Sequence, residues 1–237
     1  MKISLALAAL VAAAGSASAD VVAYWNFNNS TVNSTSGQLG VLNSVIADQG
    51  AGTVSVGNGV TFNTNAAGTA NGAAGTFSGS TINVLGTDGS GGALSVQGAV
   101  GGSGTAPVTS NGGTVDFTLN MSTFSSLVMT FSGRGTSTGF GSATDANQVL
   151  ISTDGINFSQ VATYESRQTS FQLYTFNIGN ALDGASTAIV RLRLNGATSG
   201  AGNNRIDNVQ FNATLIPTPG SLALVGLGGL VATRRRR

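Results

Sequence analysis

The chain has 237 residues, only 8% of them charged, with neither cysteine nor histidine. Those two absences remove disulfides, the usual zinc ligand sets, Ser-His-Asp triads, cysteine nucleophiles and imidazole acid–base catalysis, leaving carboxylates and hydroxyls as the reactive groups. The formal charge of +1 is unevenly spread. Lys2 and Arg234 to Arg237 supply half of the basic residues, while residues 20–216 hold five arginines against eight aspartates and one glutamate, a balance of −4 that argues against a nucleic-acid partner.

In chain order, Lys2, the apolar run from Ile3 to Gly15 and the small-residue site Ala17-Ser18-Ala19 have the three-part order of a secretory signal peptide. Residues 1–19 are therefore expected to be a signal helix, cleaved after Ala19. Residues 20–216 suit one large domain rather than two small ones. No stretch of them sustains a period near 3.6, whereas short alternations of apolar and polar residues recur throughout, which predicts an all-β body.

Val21 to Phe27 is the first predicted strand, and its Trp25, the sole tryptophan, is expected in the core. From Gly50 to Gly113 the chain holds about half of its 35 glycines and a single charge, Asp88. Strands are expected there over Thr53–Phe62, Thr81–Leu85 and Ala93–Val100, joined by glycine-rich loops. The run Gly86 to Gly92 (GTDGSGG) is read as a plain loop, because it occurs once and lacks the Lys-Ser/Thr of a phosphate loop.

Alternation sharpens after residue 113. Val115, Phe117 and Leu119, then Leu127, Met129 and Phe131, then Val190, Leu192 and Leu194 each mark a strand with one buried face. Gln148–Ser152 and Phe158–Tyr164 flank Asp154-Gly155, the clearest hairpin signal in the chain. Phe171–Ile178 and Ile206–Ala213 complete a set whose number and spacing predict an antiparallel sandwich.

The end of the chain reads Pro217-Thr218-Pro219-Gly220-Ser221, an uncharged Leu222–Ala232 segment, Thr233 and Arg234-Arg235-Arg236-Arg237. As a helix, Leu222–Ala232 would extend only about 17 Å at roughly 1.5 Å per residue, short of a hydrocarbon core of about 30 Å. The turn, apolar helix and basic stop resemble the PEP-CTERM sorting tail of Gram-negative bacteria, with Thr218 standing where that family usually has Glu. The resemblance implies that residues 217–237 make transient contact with the inner membrane, that an exosortase-like enzyme processes them, and that the passenger is secreted or reaches the cell surface or an extracellular polysaccharide matrix.

A second resemblance covers Ser122–Gly139, Asn147–Tyr164 and Ala188–Ala213, where a strand, S-x-DG, strand hairpin precedes a final R-I-D-N-V strand. These blocks are similar to galactose-binding-like jelly-roll modules of secreted bacterial proteins. The likeness implies two antiparallel sheets and relatives that include carbohydrate-binding modules. In several such relatives an Asp on the last strand helps hold a structural calcium ion. Asp207 matches that position, with Asn26, Asn28 and Asn29 near the first strand where a carboxylate would be expected. A calcium ligand and a turn-stabilising or Arg-paired carboxylate are both open readings of Asp207.

Arg205 and Asp207 lie two apart on one side of an extended chain, which suggests a local ion pair or an edge guard. Arg191 and Arg193 share the outward face of their strand, where charges keep a sheet soluble or meet an anionic ligand. No pair of carboxylates is pointed to by spacing, so a glycosidase is not expected. The sequence reading is thus a non-catalytic surface or matrix protein without a cofactor. The alternative is a carbohydrate-binding module recognising exopolysaccharide through exposed aromatics such as Tyr24, Tyr164 and Tyr174.

Overall fold

A computed structural model describes residues 19–28, 44–61 and 74–217. The expected signal helix with Ala17, the expected C-terminal apolar helix, and Thr218 to Arg237 lie outside the described residues.

Thirteen strands form among the described residues: β1 (Ala19–Trp25), β2 (Val45–Ile46), β3 (Gln49–Gly50), β4 (Gly52–Gly57), β5 (Ala74–Ser78), β6 (Gly92–Gln97), β7 (Gly113–Leu119), β8 (Phe124–Gly135), β9 (Asn147–Ser152), β10 (Ser159–Tyr164), β11 (Gln172–Gly179), β12 (Ala188–Leu194) and β13 (Asn203–Leu215). All pairings between them are antiparallel. The first sheet runs β11-β8-β13-β1-β3, with β6 also paired to β13 and β5 to β6; the second runs β10-β9-β12-β7-β4-β2. The result is a jelly-roll sandwich: the alternation predicts the antiparallel sandwich, and the second resemblance implies the jelly roll.

The inward positions of the two sheets build one core. Trp25 of β1 meets Phe117 of β7 edge-on at 5.3 Å between ring centroids, and Phe211 of β13 closes the triangle at 6.1 Å from Trp25 and 5.4 Å from Phe117. Trp25 is fully buried, and its indole N–H donates to the carbonyl of Val45 at 3.1 Å, so burial leaves no unpaired donor. A second aromatic group, Phe131, Tyr164, Tyr174 and Phe176, joins β8 and β11 of one sheet to β10 of the other.

Two strand expectations change. Thr81–Leu85 forms turns rather than a strand, since Asn83 adopts φ +64° and its side chain is spent on β13. β5 was not anticipated, because Ala-Gly-Thr-Phe-Ser offers one large apolar side chain and no alternation. The Asp154 hairpin forms with a longer loop: Gly155 takes φ +73°, and the Asp154 carboxylate accepts from the backbone N–H groups of Ile156 and Asn157.

Because Phe117 touches both aromatic partners at the sheet-to-sheet contact, Phe117→Ala should destabilise the fold by about 3–5 kcal/mol. Urea unfolding monitored by tryptophan fluorescence would show this as a lower midpoint at unchanged slope.

Candidate functional site

The most connected polar structure lies where β13 changes partner. Asn203–Ile206 pairs with β6, whereas Val209–Thr214 pairs with β1, and β8 flanks both halves. Asp207 and Asn208 sit in the gap between β6 and β1, and the segment from Gly79 to Leu85 fills it. Asp207 accepts the Ser80 N–H at 2.7 Å and the Asn208 N–H at 2.9 Å. The Asn208 amide donates to the carbonyls of Ser80 and Ile82, while its oxygen accepts the Tyr24 hydroxyl at 3.0 Å. The Asn83 amide donates to the Asn208 carbonyl at 2.6 Å, and Gln210 donates to the Asn83 carbonyl. Gly79 can be nothing larger, because a Cβ there would stand 2.6 Å from Asp207 Oδ2 and 2.2 Å from the Ser90 carbonyl.

This network corrects several sequence expectations. Asp207 does not pair with Arg205; the one ion pair between described residues is Arg191–Asp116. Nor is Arg205 an edge guard, since β13 is an interior strand flanked on both sides. Both carboxylate oxygens of Asp207 are occupied by N–H donors, and no group of three or more His, Cys, Asp or Glu among the described residues is placed to hold a metal. Asn26 and Asn28 instead pin loops to the end of β1. Asn26 donates its backbone N–H to Asp48 and its amide to Asp88, and Asn28 accepts the Gly92 N–H while donating to the Gly89 carbonyl.

The three tyrosines do not form an exposed platform. Tyr24 is fully buried beneath the Gly79–Leu85 segment, where its hydroxyl accepts the Leu85 N–H, and burial pushes its pKa up to about 12. Tyr164 is buried in the second aromatic group, and desolvation drives its phenol far above the ordinary range. Tyr174 is half-buried, stacked on Phe131 at 5.1 Å, with its hydroxyl donating to the Glu165 carbonyl.

What the structure does present to solvent is the outer face of the second sheet. Cross-strand register aligns Ser55, Asp116, Arg191 and Leu150 in one row over β4, β7, β12 and β9. The next row holds Thr53, Thr118 and Ile189, with Ser152 buried at its β9 end. Arg191 forms a two-point fork with Asp116, Nε to Oδ1 at 2.8 Å and Nη2 to Oδ2 at 2.7 Å. The Phe158 ring lies 3.6 Å from the guanidinium carbon. Fork and stack together fix a long, flexible side chain in one orientation. Asp116 was not singled out from sequence, although its outward place between Val115 and Phe117, and that of Arg191 between Val190 and Leu192, were both readable. At the hairpin end of this sheet a shallow cleft of about 270 Å³ is lined by Ile151, Ser152, Thr153, Asn157, Ser159, Ala181 and Leu182.

Chemically, this face offers a fixed mixture of donors and acceptors beside small apolar patches. The carboxyl with a raised pKa, Asp207, is only 1% exposed and enclosed by its donors, so it is out of reach of a substrate.

No protein-family model matches the chain, and no curated protein matches it significantly. Among solved structures, it is similar to the K3 cleaved adhesin domain of Lys-gingipain from Porphyromonas gingivalis W83, at 12% identity and a TM-score of 0.47, covering 82% of this chain and 99% of that one. It is also similar to the carbohydrate-binding module TmCBM61 in complex with β-1,4-galactotriose, at 10% identity and a TM-score of 0.39, covering 79% and 97%. A structure described as CBM4 gives 10% identity and a TM-score of 0.41, covering 68% and 87%. The likeness goes no further than strand architecture.

Burial raises the Asp207 carboxyl from an ordinary value of 3.8 to about 8, against the pull of the Ser80 and Asn208 N–H groups. Between those two values the native state binds more protons than the unfolded chain, so stability falls as pH rises through that window and levels off above it. Thermal melts from pH 4 to pH 9 should show this downward slope in the wild type. Asp207→Asn, which has no proton to lose, should flatten it.

Proposed function

We propose that the chain is an exported, non-catalytic surface or matrix module whose sandwich binds polysaccharide across the outer face of the β10-β9-β12-β7-β4-β2 sheet. The observation that carries this reading is the Asp116–Arg191 fork stacked on Phe158 in the middle of that face.

A sugar ring presents adjacent hydroxyls, each both donor and acceptor, together with an apolar C–H surface. The fork uses Nε–H and one Nη2 hydrogen of Arg191, leaving three of its five N–H donors free of that pair, and each Asp116 oxygen retains a lone pair. A donor and an acceptor are thereby held side by side, with Ser55 next to Asp116 and Leu150 next to Arg191 in cross-strand register. Because the ion pair already fixes both side chains, a bound sugar would incur little further ordering cost. The face is flat rather than enclosed, which suits a stretch of polymer better than a single small molecule.

Export is supported by the order of charge, apolar run and small-residue site in residues 1–19. Sorting by an exosortase-like enzyme is supported by the composition of residues 217–237. The same pair of segments supports a surface or extracellular location with transient inner-membrane attachment. Calcium is not required by this mode of binding.

Affinity electrophoresis of the full chain through gels containing neutral galactan, xylan, mannan or β-glucan tests the binding face. At least one polymer should retard the wild type. Arg191→Lys keeps the charge but removes the planar fork, and should weaken retardation by about tenfold, the loss of roughly 1.4 kcal/mol, with an unchanged circular dichroism spectrum. Wild-type mobility unaffected by every polymer would refute the assignment. Mass spectrometry of the exported protein tests the sorting assignment separately: a mature C-terminus between Pro217 and Ser221 is expected, and an intact Arg237 would contradict it.

A further inference from the structure

The opposite face of the sandwich holds two arginines whose surroundings differ from those of Arg191. Arg134 of β8 and Arg205 of β13 are directly opposed in register, so they share one face of the first sheet. Residues directly opposite in an antiparallel pair have Cβ atoms only about 4.5–5.5 Å apart, and like charges so placed are destabilising. Burial first, and the charge of Arg134 second, push the Arg205 guanidinium below its ordinary range.

Neither arginine forms an ion pair with a described residue. Asp207, two residues along the same strand, is spent on Ser80 and Asn208. Arg205 donates one hydrogen bond, to the Ser78 carbonyl at 3.3 Å, and the Nε of each arginine is buried without a partner. Arg191, by contrast, has its carboxylate at 2.7 Å, Arg167 is held by the carbonyls of Gly139 and Gly196, and Arg193 stands exposed and single between the uncharged Thr114 and Gln148. Among the described residues Arg134 and Arg205 thus form a pair of adjacent cations without an acidic partner.

Other donors accumulate in the same place. Ser95 of β6 is directly opposite Arg205, and Ser132 of β8 is two residues from Arg134 on the same side of its strand. Both serines are fully buried, and both hydroxyls lack a hydrogen-bond partner. Enclosed as Asp207 is, these hydroxyls are out of reach of a polymer, and the donors it can meet are those of the two half-buried guanidinium groups. On the two flanks, Phe171 lies 5.8 Å from the Arg134 guanidinium and Phe77 lies 5.0 Å from that of Arg205. The rings hold the two planar forks from the sides without consuming their donors.

We propose that Arg134 and Arg205 form an anion-binding subsite for carboxylate or sulfate groups carried on a polysaccharide, bordered by Phe77 and Phe171. Two adjacent forks match the paired oxygens of such a group, and the flanking rings provide the apolar surface that the sugar carbons around it require. The subsite goes beyond neutral-glycan binding on the other sheet and does not depend on it. Together the two faces would let one domain hold two polymer segments at once.

The test is titration calorimetry of the full chain with polygalacturonate, with the same polymer fully methyl-esterified, and with sodium acetate and sodium sulfate. Polygalacturonate should bind with an affinity that falls as salt is raised, and the esterified polymer should bind at least tenfold more weakly. Arg134→Gln and Arg205→Gln should each weaken polygalacturonate binding at least tenfold. They should leave the unliganded melting temperature equal to or above that of the wild type, because each substitution relieves the repulsion; a structural role would lower it instead. Arg134→Gln and Arg205→Gln should leave retardation by the neutral polymers unchanged, which separates failure here from failure of the neutral-glycan site. Absence of polygalacturonate binding, binding indifferent to both glutamine substitutions, or a lowered melting temperature in both variants would overturn the proposal. Acetate or sulfate binding as tightly per charge as the polymer would overturn its polysaccharide source in favour of a small free anion.

Discussion

β13 is the strand on which the rest of the molecule depends, because it has two different partners on one side. Its first half is hydrogen-bonded to β6 and its second to β1, and an open gap between those partners would strand backbone donors and acceptors away from water. The protein closes the gap with polar side chains rather than with backbone. Asp207 and Asn208 satisfy the Gly79–Leu85 segment, Tyr24 caps Asn208, and Asn83 returns a bond to the Asn208 carbonyl. The arrangement is expensive in one respect, since it buries a carboxyl at 1% exposure. It holds two halves of a sheet, and the loops above them, in a single register.

This seam also decides where binding chemistry can sit. By absorbing Tyr24 and Asp207, it removes from the surface an aromatic ring and a carboxylate that the sequence places at outward strand positions. What remains outside is arginine-based: a neutralised fork with Asp116 and Phe158 on one sheet, and an unneutralised pair with Phe77 and Phe171 on the other. Arginine suits flat β surfaces because its planar group can lie along a sheet, stack on a ring and still project donors from its edge. A chain without histidine or cysteine, and with no lysine beyond Lys2, has few other ways to present fixed positive donors.

The legible parts of the chain were those where neighbouring residues alternate. Val115/Phe117/Leu119, Leu127/Met129/Phe131 and Val190/Leu192/Leu194 each placed a strand and its inward face, and Trp25 entered the core as its bulk requires. The glycine-rich region from 50 to 113 was poorly legible because small residues carry little facial preference. β5 was therefore missed, and Thr81–Leu85, whose Ile, Val and Leu mimic a strand, folds into turns held by contacts to residues more than 120 positions away. The same distance explains the tyrosines. An outward place on β1 says nothing about a loop that later covers it. Tyr174 was the exception: its alternation with Phe176 and Ile178 marked it as inward, and that signal was available. Arg191 and its face were readable, but its pairing with Asp116 required the register of β7 against β12.

The claim at the centre of this account is that the outer faces of the sheets, not the loops or the core tyrosines, recognise polysaccharide. Chemical-shift mapping of the isotopically labelled full chain, titrated with a mixture of neutral and uronate oligosaccharides, addresses it directly. Shifts concentrated on Ser55, Asp116, Leu150 and Arg191 with the neutral sugars, and on Arg134 and Arg205 with the uronates, are the expected pattern. A spectrum that stays unchanged at saturating sugar, or one in which only loop residues such as those from Gly86 to Gly92 respond, would contradict it.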